Sequence, residues 1–143
     1  MRVLSVSISE KKGVKKHPVE YINLIEDYGI EGDAHAGKWH RQVSLLGVES
    51  MEAMKEKLPT LSAGDFAENI LTEGIVLYEL PIGTILKVGE CTLEVTQIGK
   101  ECHLGCEIRH IVGDCVMPRE GIFTKVIKGG KIKAEDKIEI VEK

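Results

Sequence analysis

The chain has 143 residues with 43% hydrophobic content, enough for one domain with its own core, so neither a metal nor disulfides are needed merely to fold it. Its 19 basic and 23 acidic residues give a net charge of −4, a balance that does not favour nucleic acid as a partner. No apolar run approaches the roughly 20 residues that span a bilayer, and the opening MRVLSVSISE has neither a long apolar centre nor a cleavage site, so no membrane span or signal peptide is expected.

In chain order, Leu4, Val6 and Ile8 alternate as one face of a first strand. The KKGVKK run, Lys11 to Lys16, follows at a glycine-containing turn and reads as a solvated loop. Val19 to Ile25 is a second strand and Gln42 to Leu46 a third. A helix is expected over Glu49 to Leu58, with Met51, Met54 and Leu58 at helical spacing as core contacts and Pro59 as its stop. A shorter helix is expected over Asp65 to Asn69, after Gly64. Thr84 to Val88 and Cys91 to Ile98 flank Gly89-Glu90 as a hairpin, with Leu93 and Val95 facing inward. Ile122 to Ile127 and Lys137 to Val141 close the chain on either side of Gly129-Gly130. With 15 glycines, above the usual ~7%, and strands so evenly punctuated, the expected fold is mostly β. It is a single domain over residues 1–143, a mostly antiparallel, closed or partly closed β-barrel with short helices.

The chemistry concentrates in IGKECHLGCEIRHIVGDC, Ile98 to Cys115. The expected location is the cytoplasm, where thiols stay reduced and clustered cysteines mean metal binding or catalysis more often than a staple. If Glu101 to Val112 is helical, Leu104, Ile108 and Ile111 form one apolar stripe. Cys102, Cys106, Arg109 and His110 then share the opposite face. One reading is a zinc-binding module that uses Cys102, Cys106, His110 and Cys115 and has no sulfur-transfer role; its C-x3-C-x3-H-x4-C spacing is a loose match to structural zinc sites. The other is a reactive thiol, whose thiolate the cations Lys100, His103, Arg109 and His110 would favour. Cys91 starts an alternating strand in phase with Leu93 and reads as a small buried hydrophobe without a role.

A second concentration is IEGDAHAGKWHRQVSLL, where Asp33, His35, Lys38, Trp39, His40 and Arg41 crowd a glycine-bounded loop before an apolar strand. Such density favours a binding site. Arg41 suits a phosphate or carboxylate because a guanidinium donates two parallel hydrogen bonds. In VMPREGIFTKV, Arg119 is either an anion ligand or a structural ion-pair partner near Glu120. In GDFAENI, Glu68 and Asn69 read as capping or loop-bracing residues.

Taken together, EGDAHAG with HRQVSLL, GDFAENI, LPIGTILKVGE with LEVTQIGKEC, and REGIFTKVIKGGKI resemble the MOSC domain, the module named for the C-terminal part of molybdenum cofactor sulfurase, in a stand-alone bacterial type. The resemblance spans nearly the whole chain in family order. It implies a barrel like the pyruvate-kinase β-barrel. It also implies binding of the molybdenum cofactor (molybdopterin), or sulfur carried as a cysteine persulfide to a molybdenum or metal–sulfur centre. Cys102, shortly after Thr96-Gln97, matches the family's cysteine, as sulfur carrier or molybdenum ligand, and Cys106 is a second thiol one helical turn on. Asp33, His35, His40, Arg41 and Arg119 are the expected cofactor-binding residues, and His40, Arg41 and Arg119 are expected to converge near the cysteine segment, because the pterin cofactor carries a phosphate that a guanidinium can grip. The large sulfurases carry a pyridoxal-phosphate cysteine desulfurase domain, which this chain is too short to hold. The sulfur donor is then a separate pyridoxal phosphate-dependent cysteine desulfurase, and the acceptor a molybdoenzyme or a cofactor-synthesis protein. Two roles stay open, a sulfur-transfer activity and an accessory part of a molybdoenzyme reductase.

Overall fold

The computed structural model describes residues 1–11, 16–54, 63–64, 66–99 and 120–142. Among the described residues eleven strands carry the fold: β1 (Arg2–Ile8), β2 (His17–Val19), β3 (Tyr21–Ile25), β4 (Gly29–Ile30), β5 (Val43–Gly47), β6 (Ile70–Glu73), β7 (Ile85–Val88), β8 (Cys91–Ile98), β9 (Ile122–Lys128), β10 (Gly130–Lys133) and β11 (Ile138–Glu142). The α-helix α1 (Val48–Met54) follows β5, and a 3-10 turn spans Leu77–Glu79. Eight strands form one sheet in the order β11-β7-β8-β9-β5-β6-β1-β2, and β10-β3-β4 form a smaller one.

The large sheet is not closed by a continuous ladder, but it is barrel-like, and backbone hydrogen bonds link the start of β1 to the far side of the sheet. Val3 donates its N–H to the Asp136 carbonyl at 2.8 Å, Glu135 donates to Val3 at 2.8 Å and Ile138 donates to Met1 at 3.1 Å. These bonds join the start of β1 to the approach to β11. They occupy backbone groups that an open sheet would leave unpaired at its edge.

Alternation shapes most strands. In β8, Cys91, Leu93 and Val95 are buried while Thr92, Glu94 and Thr96 are partly exposed, and the tight turn at Gly89 (φ +57°) pairs this strand with β7 as the expected hairpin. β5 departs from alternation. All five of its residues are buried, since it lies between β9 and β6, and its pairing with β6 is parallel. Pro18 is tolerated because β2 is the edge strand of the large sheet.

Several expectations change. On β1 the core residues are Val3 and Val6, with Leu4 only partly buried, because the register with β6 shifts between Val3 and Ser5. The second strand divides at Glu20 into β2 and β3, in different sheets. No helix forms over residues 66–69. Ala67 has φ +61°, a left-handed conformation that a right-handed helix does not contain, and β6 starts at Ile70. β4, β6 and β10 are too short to show a period in sequence. The helix after β5 is present and buries Met51; residues 55–62, including Leu58, lie outside the described residues, as does the expected helix over 101–112.

Candidate functional site

The 31–42 loop joins β4 to β5, so both ends of the Asp33-to-Arg41 cluster are anchored in sheets. Asp33 turns inward. Its side chain is 0% exposed. One oxygen, Oδ1, accepts from Lys16 Nζ at 2.7 Å and from the Ser9 N–H at 3.1 Å, and Oδ2 accepts from the His35 N–H at 3.1 Å. Burial pushes the carboxyl upward, but the His35 side chain beside it, the charge and hydrogen bond of Lys16 and the Ser9 N–H outweigh it. The net effect holds Asp33 well below the usual carboxylate range.

Lys16 is therefore not part of a solvated loop. Its side chain is 0% exposed because its ammonium meets Asp33, Ser9 Oγ at 3.2 Å and His35 Nδ1 at 3.1 Å. Lys11 at the other end of the same run is exposed, as expected. Lys16 is the residue of this cluster that sequence reasoning missed, since a run of lysines carries no local sign that one of them is internal.

His35 links this buried pair to the surface. Its ring stacks on Trp39 at 6.3 Å with 3° between the planes, and Trp39 Nε1 donates to the His35 carbonyl at 2.7 Å. His40 also packs edge-on against the indole at 5.9 Å, and the Arg41 guanidinium sits 5.9 Å from the ring centroid. Arg41 also lies 5.4 Å from the Phe123 ring centroid, on β9.

Gln97, at the end of β8, brings His40 and Arg41 together. Its Oε1 is 2.9 Å from both His40 Nε2 and Arg41 Nε. Its own amide donates to the Gly99 carbonyl at 2.6 Å, which sets the oxygen toward His40 and Arg41. Thr96 Oγ1 donates to the His40 carbonyl, tying the loop backbone to β8 as well. Gly99 then donates to the Gly121 carbonyl at 2.7 Å. Gly99 and Gly121 therefore lie side by side, close to Gln97.

His35, His40 and Arg41 gather around Trp39 with the buried Asp33 behind His35, whereas Cys102, Cys106, His110, Cys115 and Arg119 lie outside the described residues. Glu120 binds Ser50 Oγ at 2.7 Å. Among the described residues no three His, Cys, Asp or Glu side chains converge as a metal site. Cys91 is fully buried in the core. Burial, with Glu90 and Asp136 nearby, pushes its thiol up to about 12, so it is an inert packing group as expected.

The GDFAENI turn supports the cluster from behind. The buried Glu68 carboxylate accepts from the Gly64 N–H at 2.7 Å and the Phe66 N–H at 3.2 Å. Asn69 binds the Ser44 N–H and the Ser7 carbonyl. Both are bracing residues, as the sequence indicates.

Comparison with solved structures places the fold among known proteins. The YUAD protein from Bacillus subtilis superposes with a TM-score of 0.80 at 17% identity, over 96% of this chain and 93% of that one. YiiM from Geobacillus stearothermophilus gives 0.76 at 19% identity, over 99% and 75%. YiiM from Escherichia coli gives 0.71 at 21% identity, over 100% and 71%. The search of curated proteins returns no match. The MOSC domain family model matches residues 32–139, a span that includes the Asp33-to-Arg41 loop, Gln97 and the cysteine segment. The chain belongs to the MOSC domain family.

Proposed function

We propose that this chain, acting as a single domain, binds the molybdenum cofactor or carries sulfur as a persulfide on Cys102 for delivery to a molybdenum or metal–sulfur centre. Membership in the MOSC family ties it to chemistry related to molybdenum cofactor sulfurase. The observation that carries the finer reading is the shared anchor at Gln97: one amide oxygen holds both His40 and Arg41. Cys102 follows Gln97 by five residues, a stretch that spans at most about 18 Å. Anion-binding groups and the thiol are thus kept on a short tether.

The described side chains fit a phosphate-bearing group. Arg41 engages Gln97 through Nε, and a guanidinium has further N–H donors in a planar fork. Beside it, Lys38, His40 and Lys125 line a shallow cleft, together with Asp27 and Glu94. His40 and Arg41, with Arg119, would hold the phosphate of a molybdenum–pterin cofactor, which when bound supplies a metal that accepts or exchanges sulfur. Asp33 and His35 fix the shape of the loop that presents these cations.

In the persulfide form, the Cys102 thiolate attacks the outer sulfur of a persulfide on a cysteine desulfurase. The new S–S bond forms as the old one breaks, and the donor cysteine leaves as thiolate, so no added oxidant or reductant is needed. Cys106 is placed in sequence to take the sulfur onward.

The test incubates the protein with a cysteine desulfurase and labelled cysteine, and separately with the molybdenum cofactor, and compares Cys102→Ser with wild type. Loss of label or of cofactor in the variant supports the reading. A variant that takes up both as wild type does removes Cys102 as the carrier.

A further inference from the structure

We propose that a cavity at the ends of β5 and β6 binds the ammonium group of a small primary amine, with the amine's carbon skeleton against Val76 and Tyr78. This cavity shares no lining residue with the cleft beside Arg41, and the proposal does not rest on the function proposed above.

The register of two parallel strands builds the site. Leu45 pairs with Ile70 and Gly47 with Thr72. Because strand side chains alternate, Gly47 and Thr72 lie on the same face of the sheet as the core residues Leu45 and Ile70, two positions further along. At Gly47 there is no side chain, and a cavity of about 220 Å³ is found there. Its walls are Glu49 and Ser50 from the first turn of α1, the segment from Gly74 to Tyr78 after β6, and Glu120 ahead of β9. That volume is below the ~300–1,000 Å³ of pockets for drug-sized ligands, so the occupant is small.

Thr72 is the residue that points to a ligand. Its hydroxyl is fully buried and has no hydrogen-bond partner, so it has lost water and gained nothing in return. It faces the gap at Gly47. A Cβ placed on that glycine would stand 3.9 Å from Thr72 Oγ1, 3.1 Å from Glu49 Oε1 and 3.7 Å from the Ile75 carbonyl oxygen. Three oxygens from three segments thus border one gap. The Glu49 carboxylate is held in place there, since its Oε2 accepts from the Gly74 N–H at 3.0 Å.

Charge selects the ligand. Glu49 and Glu120 line the cavity, and its described lining residues include no Lys, Arg or His. Met1 and Arg2 line a neighbouring cleft that meets this one at Gly74, and the Arg2 guanidinium is paired with Glu73 and Glu135. A carboxylate and a carbonyl only accept, so the ligand must bring the protons. An ammonium brings three donors to the three oxygens, and a charge opposite to that of the two carboxylates. Among the described residues no three His, Cys, Asp or Glu side chains converge, which favours an ammonium over a metal ion.

The test titrates benzylamine into the intact, isotope-labelled protein at neutral pH, where the amine is protonated, and follows the backbone amide resonances. Saturable shifts are expected at Gly47, Gly74 and Ile75. Affinity should fall about tenfold or more for benzyl alcohol, which lacks the charge, and for benzyltrimethylammonium, which lacks the N–H donors. Thr72→Val removes the hydroxyl at nearly constant shape. Its melting temperature should not fall, because the hydroxyl has no partner in the fold, while benzylamine binding should weaken about tenfold. Glu49→Gln keeps an acceptor for the Gly74 N–H but removes the charge, and should weaken binding as much. The proposal is overturned by the absence of saturable shifts, by either control compound binding as benzylamine does, or by either variant binding benzylamine as wild type does. Loss of stability in Thr72→Val would overturn it too, by showing that the hydroxyl serves the fold. Cys102 and Arg41 are untouched by these changes, so failure here is distinguishable from failure of cofactor binding.

Discussion

Asp33 and Cys91 show how one interior treats two ionisable groups. The Asp33 carboxyl is depressed because its partners outweigh burial, so its ionised form stabilises the fold above the unfolded value of about 3.9. That contribution is lost as pH falls through the lower folded value. Asp33→Asn should therefore flatten the acid limb of the stability curve below about pH 4. At neutral pH it should lower stability by about 3 kcal/mol, since Lys16 is left buried without its carboxylate; urea melts across the acid range check both. Cys91 has no charged partner that favours its thiolate enough to offset burial. It should resist alkylation in the folded protein and react only in denaturant, as peptide mass spectrometry would show. Gly64 has φ +89° and no room for a methyl group, so Gly64→Ala should destabilise by about 3 kcal/mol, read from the same melts.

At the level of elements, the end of β8 is the junction on which the site depends. Gln97 holds residues from the β4–β5 loop that are 56 and 57 positions away. Its amide oxygen is shared, so replacing it releases both His40 and Arg41 at once. Gln97→Leu should weaken binding of the molybdenum cofactor by about tenfold, near 1.4 kcal/mol, measured by titration calorimetry. The melting temperature should stay close to that of wild type, because His40 is exposed and Gln97 only partly buried. An equal loss of stability would show instead that Gln97 is a fold residue. The shift in β1 has a similar logic. One irregular step between Val3 and Ser5 trades Leu4 for Val3 in the core and lets the strand reach both β6 and the 135–138 segment.

For the whole molecule, the barrel's core is aliphatic and continuous. Val43, Leu45, Ile70, Leu86, Leu93 and Ile122 are all fully buried within it. Burial of this kind stabilises by roughly 25 cal/mol per Å² of apolar area and needs no metal. The melting temperature should therefore be the same in chelator as in buffer. A large drop, with stoichiometric zinc released, would favour the zinc module built from Cys102, Cys106, His110 and Cys115, because the metal's binding energy would then be part of the folding energy. Among the described residues no helix is long and apolar enough to cross a membrane.

The sequence by itself determined what depends on neighbours along the chain. The alternation of Cys91, Leu93 and Val95, the Gly89-Glu90 turn and the helix after β5 are local patterns, and each stands where its period puts it. The MOSC signature was legible too, as were the bracing roles of Glu68 and Asn69. The tertiary structure decided what depends on distant partners. A lysine run gives no sign that Lys16 is internal, because the groups that take up its charge, Asp33 and His35, lie 17 and 19 residues away. Nothing local to Gln97 shows that it gathers His40 and Arg41. The parallel pairing of β5 with β6, and the seam between β1 and the 135–138 segment, are likewise set by backbone groups that meet only when the sheet curls. Periodicity reports which face of a strand is apolar; only the curl of the sheet settles which polar groups are enclosed with it, and a charge enclosed that way must find its partners there.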